Sequence, residues 1–382
     1  MKSLRYSIYF LLFSVVIQGQ NITFNLDSDQ KHYFKMYGEV HYSQKMEDNI
    51  VYNAELDVQR LVSVYGYQFS RNTQFVAEIE YEHANEIFVE QAWVKHKLGK
   101  GINLKAGLIL VPMGMVNEEH EPNFFYSVDR PFIDKNIVPT TWREIGLGIT
   151  GLLTDYSLKY QLYAMNNVLS FDDSSTLSAG KGIRSARQKG SKVVLSGLPS
   201  IAGKLEYYGF SDTKFGISTY VGNTNTTVGN GEAAAIDAIQ SERDSSIVSM
   251  AMISVHGTYA RGPFSIRTQY SLLGFGKTET YNNYASANIP KMMHGLYTSI
   301  GYKFYEKEDE FWRVFARYSK INQQLQLNEN QTKEDKLDQS IITVGLNYSP
   351  TNGVIFKSDY QIYTNKAKSN YNQLNLGVGI WF

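Results

Sequence analysis

The chain has 382 residues, 37 Lys and Arg against 37 Asp and Glu, and no cysteine. The balanced charge excludes a global field drawing it to nucleic acid, and the missing thiol excludes a disulfide framework, Cys-ligated zinc, a cysteine nucleophile and a lipoprotein anchor. With 28 Tyr, 20 Phe and 4 Trp, 14% of the chain is aromatic, which suits a sheet-rich protein with many half-wet, half-apolar surfaces.

In chain order the first element is a targeting segment. Lys2 and Arg5 precede an apolar run over 6–17, and small Gly19 follows at a plausible cleavage point. That order reads as a secretory signal peptide over 1–19, with the folded domain over 20–382. Twelve residues are too few for a membrane anchor, which needs about 20.

Period-2 alternation then recurs. Leu158, Tyr160, Leu162 and Ala164 share one face of a strand, as do Phe264, Ile266, Thr268, Tyr270 and Leu272. Leu296, Thr298, Ile300, Tyr302 and Phe304 repeat the pattern, followed by Ile342, Val344, Leu346 and Tyr348. In the last run Leu374, Leu376, Val378, Ile380 and Phe382 oppose Gln373, Asn375, Gly377, Gly379 and Trp381. A strand with one apolar face gives this pattern and a helix does not.

Tight turns fall near 70–73, 99–101, 154–155, 211–213, 261–263, 306–310 and 349–353. Between them lie longer connections near 45–50, 113–141, 166–202, 222–246, 276–291, 322–338 and 365–370, and a short one near 84–85. Short and mostly longer connections alternate, giving about sixteen strands. The predicted fold is an all-β transmembrane antiparallel β-barrel with short periplasmic turns and mostly longer external loops. A β-sandwich has no reason to gather its short turns at one end, and closure removes the edges an open sheet would expose. The final Phe382 resembles the signal read by the barrel-assembly machinery.

If the apolar face meets outer-membrane lipid, the other face is the pore wall. That wall carries Lys105, Lys159, Lys204, Arg267, Lys303, Arg313, Arg317 and Lys357, with Glu78, Glu80, Glu206 and Asp359. The third external loop, 113–141, is about 29 residues long and is stiffened by Pro122, Pro131 and Pro139 within it and by Pro112 just before it. Phe124, Phe125, Tyr126 and Phe132 need a surface to pack on. The loop is therefore expected to fold into the lumen. Its constriction residues would be Glu118, Glu119, Glu121, Asp129, Arg130, Asp134, Lys135 and Arg143, with the three glutamates opposite Arg267, Arg313 or Arg317.

Gly107, Pro112 and Gly114 end one strand, and Arg143, Glu144 and Gly146 open the next. This stretch of about 45 residues resembles outer-membrane porins of the Bacteroidetes related to the phosphate-selective porin O and P family. The resemblance implies a sixteen-stranded diffusion pore, often a homotrimer. Phosphate selectivity is not carried over, because six acids from 113 to 144 outnumber three bases.

Other signals carry less. Gly146–Gly151 matches G-x-G-x-x-G, but no helix follows. The histidines, including His83, His96 and His256, show no ligand spacing, so no metal and no cofactor are expected. Glu118, Glu119 and Glu121 have hard oxygens suited to calcium, but a solvated acidic loop explains them as well. The Ser-, Gly- and Asn-rich connections 166–202 and 222–246 read as mobile surface loops. No catalytic constellation emerges, so an enzyme is not expected. The sequence points to a porin for passive diffusion of small hydrophilic solutes or ions. The alternative is a non-transporting barrel acting as an adhesin or structural protein through its external loops.

Overall fold

The structure, a computed structural model, describes residues 31–231 and 236–382. The expected signal peptide at 1–19 lies outside the described residues. The strands in chain order are β1 (His32–Met46), β2 (Glu55–Ser70), β3 (Thr73–Glu82), β4 (Glu86–Gly99), β5 (Ile102–Leu110), β6 (Arg143–Leu153) and β7 (Leu158–Met165). Next come β8 (Leu169–Asp172), β9 (Ser174–Ser175), β10 (Ser200–Tyr207), β11 (Thr213–Asn223), β12 (Asn225–Thr226), β13 (Ser249–Arg261) and β14 (Phe264–Gly276). The last are β15 (Met292–Lys307), β16 (Glu310–Gln326), β17 (Asp338–Thr351), β18 (Val354–Asn365) and β19 (Tyr371–Trp381). Among the described residues three α-helices occur in loops: α1 (Ile133–Asn136), α2 (Ile236–Ser246) and α3 (Thr278–Ala285).

Sixteen strands close into one barrel, while β8, β9 and β12 form a separate small sheet. Closure joins the first strand to the last, from Tyr37↔Trp381 to Met46↔Asn372. Met36 and Phe382 exchange backbone bonds of 2.9 and 3.0 Å beside that seam. Every strand of the barrel thus has two partners, as a sheet crossing hydrocarbon requires.

The predicted faces hold. Leu374, Leu376 and Ile380 are 37%, 46% and 38% exposed on the outside, while Asn375 between them is 1% exposed on the inside. The outer band ends in aromatic rings at the short-turn end. Phe69, Tyr156, Phe210, Phe264 and Phe304 are exposed there, and Trp312 stacks on Tyr348 at 4.3 Å between ring centroids. An apolar band with an aromatic girdle is the outer surface expected of a barrel in a bilayer.

The core lies inside the lumen. The connection between β5 and β6 spans 111–142, slightly wider than the 113–141 read from sequence. Its Met113, Met115, Ile133, Ile137 and Trp142 are buried with the wall residues Tyr37, Tyr163, Tyr220 and Tyr297. Trp142 lies 4.8 Å from Tyr220, centroid to centroid. Each fully buried Met or Ile contributes about 1.5–3 kcal/mol, so the loop is fastened by packing before any polar bond is counted. Gly114 makes the inward bend, with φ +64, a conformation that favours glycine.

The expectation of mobile loops is corrected over 166–202 and, within 222–246, at Thr224, Asn225, Thr226 and Ser246, which are buried. Val168, Leu177 and Ile183 are buried. Ser170 Oγ donates to the carbonyl of Ser246 at 2.7 Å, and Tyr281 OH donates to the carbonyl of Ser170 at 2.6 Å. Small polar residues build a hydrogen-bonded cap here, a use of Ser and Asn that composition does not distinguish from disorder.

Candidate functional site

The inward loop is tied to strands all around the barrel. Gly114 N donates to Ser218 Oγ on β11 at 3.0 Å. On β14, Gln269 accepts from Met115 N at 2.7 Å and donates to Asp134 Oδ1 at 2.8 Å. Across the lumen Lys357 on β18 donates to the carbonyls of Phe125 and Ser127 at 2.9 and 3.0 Å. Asn347 on β17 donates to the carbonyl of Tyr126 at 2.7 Å, and Val128 N donates to Asp359 on β18 at 2.6 Å. Arg317 on β16 donates to Ser127 Oγ at 2.5 Å.

The loop acids meet partners other than those expected. Glu118 accepts from Gln161 at 2.8 Å and from Lys204 at 3.0 Å. Glu121 pairs with Lys35. Arg267 instead lies over the rings of Phe124 and Tyr126 at 4.5 and 4.9 Å, and Arg313 over Tyr126 at 4.7 Å. The opposition of Glu118, Glu119 and Glu121 to Arg267, Arg313 and Arg317 is therefore not the arrangement found. The reason is that Tyr126 and Ser127 reach those arginines first. Glu118 and Glu121 run to different strands, β10 and β1, and the three glutamates do not converge as the calcium cluster considered above.

Electrostatics follow from burial. Burial raises the Glu118 carboxyl, but Lys204 and Lys159 outweigh it and hold it below its ordinary value. Burial lifts Glu119 and Asp129. Asp134 is pushed up to about 7 by burial, although the Gln269 bond and Arg317 pull it back. Arg130 donates to Thr140 Oγ1 at 2.8 Å, Asp129 accepts from Gln373 at 3.3 Å, and Lys135 is exposed. Arg143 is the first residue of β6 rather than part of the loop. Its cation lies 5.6 Å from the Phe88 ring.

The remaining wall residues make the following contacts. Lys105 lies 4.2 Å from the Trp93 ring, Lys159 pairs with Glu206 at 3.2 Å, and Lys303 pairs with Glu306. Glu78 and Glu80 are buried, and Glu78 accepts from Tyr37 OH at 2.7 Å.

Between the loop and the long-loop end of the barrel lies a vestibule of about 750 Å³. Arg60, Arg130, Lys135, Arg143 and Arg317 line it, and the connection after β7 adds Lys181, Arg184, Arg187 and Lys189. These nine cations meet only four carboxylates, Glu39, Glu80, Glu82 and Asp129. The Arg60–Glu39 pair, 2.5 Å apart, removes one of each. Below, a cavity of about 10 Å³ lies among Met115, Phe124, Tyr126, Arg267 and Arg317, room for about one water. The contribution of 181–189 was missed in the sequence, although a signal was present. From 174 to 205 the chain has no acid, and Lys181, Arg184, Arg187, Lys189 and Lys192 are crowded together.

A closed sixteen-stranded antiparallel barrel with an apolar exterior and a polar, loop-crossed lumen is the fold of outer-membrane porins. No protein-family model matches the chain. The chain is 27% identical over 344 residues to an uncharacterized protein of Aquifex aeolicus, covering 85% of this chain and 74% of that one. It is similar in structure to the anion-selective porin from Comamonas acidovorans, with TM-score 0.58, 11% identity, and 92% and 100% of the two chains covered. Salmonella typhi OmpF in complex with daunomycin aligns with TM-score 0.58, 12% identity and 92% and 97% coverage. The trimer form of Vibrio cholerae OmpT aligns with TM-score 0.50, 10% identity and 92% and 100% coverage.

Proposed function

We propose that this chain is a porin in the outer membrane of a Gram-negative bacterium, passing small hydrophilic solutes with a preference for anions. The vestibule carries this reading. Its cations outnumber its carboxylates nine to four, and low-dielectric walls concentrate such a field. The acids of the loop do not reverse it, because Glu118 and Glu121 are matched by Lys204 and Lys35 and burial favours the neutral form of Asp134. This replaces the net negative constriction that composition alone suggested. The segment 111–142, which is packed inside the barrel, acts as the constriction.

The apolar outer band and its aromatic girdle support lipid as the surrounding medium. Kinship with Bacteroidetes porins of the phosphate-selective type belongs to the same reading, supported by Gly107, Pro112, Gly114, Arg143, Glu144 and Gly146. Assembly as a homotrimer also belongs to it, with the trimeric OmpT neighbour in its favour.

The test is a reversal potential in planar bilayers under a potassium chloride gradient, using the purified full chain. The sign expected is that of an anion-selective pore. A cation-selective potential would overturn the preference, and no conductance at all would favour the adhesin or structural reading.

A further inference from the structure

Three buried side chains meet where the inward loop leaves the wall near its start. Glu78 on β3, Glu90 on β4 and His120 of the loop each offer a donor atom, and these atoms all lie within 4.8 Å of one another. All three residues are buried, Glu90 and His120 completely.

The backbone aims Glu90 at this point. Between β3 and β4, Glu78 pairs with Gln91 and Ile79 pairs with Val89, so Glu90 is the extra residue of a β-bulge. A bulge of this kind turns one side chain out of the regular alternation. Here it puts both Glu90 and Gln91 on the buried side.

The hydrogen bonds satisfy Glu78, whose Oε2 accepts from Gln91 Nε2, and leave Glu90 unsatisfied. His120 Nδ1 lies 3.0 Å from the carbonyl of Asn117, so it donates there. In a neutral imidazole that fixes the lone pair on Nε2. A backbone carbonyl on the far ring nitrogen is the usual support of a metal-binding histidine. Tyr37 OH gives its one proton to Glu78 Oε1 at 2.7 Å, and its oxygen then faces His120 Nε2 at 2.9 Å. Among the described residues neither oxygen of Glu90 meets a hydrogen-bond partner in good geometry, although Oε1 stands 3.3 Å from His120 Nε2. Arg60 is already matched by Glu39 at 2.5 and 2.7 Å and by the carbonyl of His120. No arginine forms an ion pair with Glu90 among the described residues.

A single proton on Nε2 would be shared between Tyr37 at 2.9 Å and Glu90 Oε1 at 3.3 Å, and would leave Glu90 Oε2 with nothing. A divalent cation serves all three donors at once. We propose that Glu78, Glu90 and His120 bind a divalent first-row transition metal ion, zinc being the representative, which pins the inward loop to β3 and β4. One imidazole and two carboxylates are ligands of that class. Donors around tetrahedral zinc stand about 3.4 Å apart. The Nε2–Oε1 separation of 3.3 Å already fits, and Glu78 joins by exchanging one of its two donors, Tyr37 OH or Gln91 Nε2, for the ion. The fourth position is left to water or to the Tyr37 phenol.

The test uses the untagged full chain folded in detergent and stripped with a chelator, with zinc chloride or cobalt chloride as the only probe. One zinc per chain should survive dialysis. Cobalt should give the visible absorption bands of a four-coordinate nitrogen–oxygen site. Glu90→Gln and His120→Asn should each weaken zinc binding at least about tenfold, while His83→Asn should leave it unchanged. Heat-modifiable migration checks that each variant folds. If the variants misfold, the cobalt spectrum and zinc stoichiometry of the unaltered protein decide. Zinc well below one per chain, equal binding by the folded variants, or no cobalt bands would overturn the site and leave an imidazolium–carboxylate pair. None of these readouts depends on ion conduction.

Discussion

Lys204 Nζ on β10 stands 3.0 Å from Glu118 Oε2 of the inward loop. The lysine side chain is 4% exposed and the carboxylate 19%. A wall cation thereby ties the loop to β10 and matches the charge of the loop acid. Breaking one half of a fully buried pair costs about 3–5 kcal/mol because the other charge is stranded. Glu118 is partly wet and Lys204 keeps Glu206 at 3.4 Å, so the cost here is roughly 2 kcal/mol. Lys204→Met and Glu118→Gln should each speed hydrogen exchange in 113–121 and raise single-channel noise. The double variant should recover part of the loss. Strictly additive effects would show that the pair does not act as a latch.

How much of this was legible in the sequence depends on range. The alternation of Leu374, Leu376 and Ile380 against Asn375 is a local property, and a strand reports it directly. The turns at 70–73 and 261–263 were legible for the same reason. Tyr126 and Phe124 signalled that the third loop needed a surface to pack on. Their partners, Arg267 and Arg313, lie more than a hundred residues away, and composition gave no means of choosing between them and the glutamates. The bulge at Glu90 was invisible, because one inserted residue in a strand changes no local pattern strongly enough to be read. The basic run 181–189 was readable as charge, but its position over the pore depends on how the cap folds.

That basic run gives a second prediction. Arg184, Lys181 and Lys189 are exposed where they line the vestibule. Arg187 is less suited to testing because its Nη1 donates to the carbonyl of Thr140 at 2.7 Å and holds the cap. Arg184→Gln combined with Lys189→Gln should lower the anion-to-cation permeability ratio by roughly a few-fold, most clearly at low salt. An unchanged reversal potential in a correctly folded variant would mean that ions do not pass these side chains.

Removing the obstruction is a third. Replacing 115–128 with a short Gly-Ser link takes away Phe124, Phe125 and Tyr126, which contact the wall around Arg267, Arg313 and Lys357. Barrel closure between β1 and β19 does not involve these residues, so the barrel should still fold. Conductance should rise several-fold, roughly as the open cross-section grows. The same conductance in a folded deletion would place the loop outside the ion path.

Asp134 supplies a pH dependence. Its Oδ1 accepts from Gln269 while Oδ2 has no partner, as suits a carboxyl kept protonated by burial. Its value is about 7 in the docked loop, against about 3.9 for a free aspartate. The docked loop therefore binds the proton more tightly than the released loop. The contribution to docking is complete below about pH 4 and is lost as the pH rises through about 7. Gln269 also holds Met115 N at 2.7 Å, so the Met115 amide reports on the same clamp. After correction for intrinsic base catalysis, its exchange should accelerate across neutral pH. Asp134→Asn keeps an oxygen for Gln269 and cannot ionise, so its corrected exchange should stay flat. Parallel pH profiles for the two proteins would show that Asp134 does not set the docking of the loop.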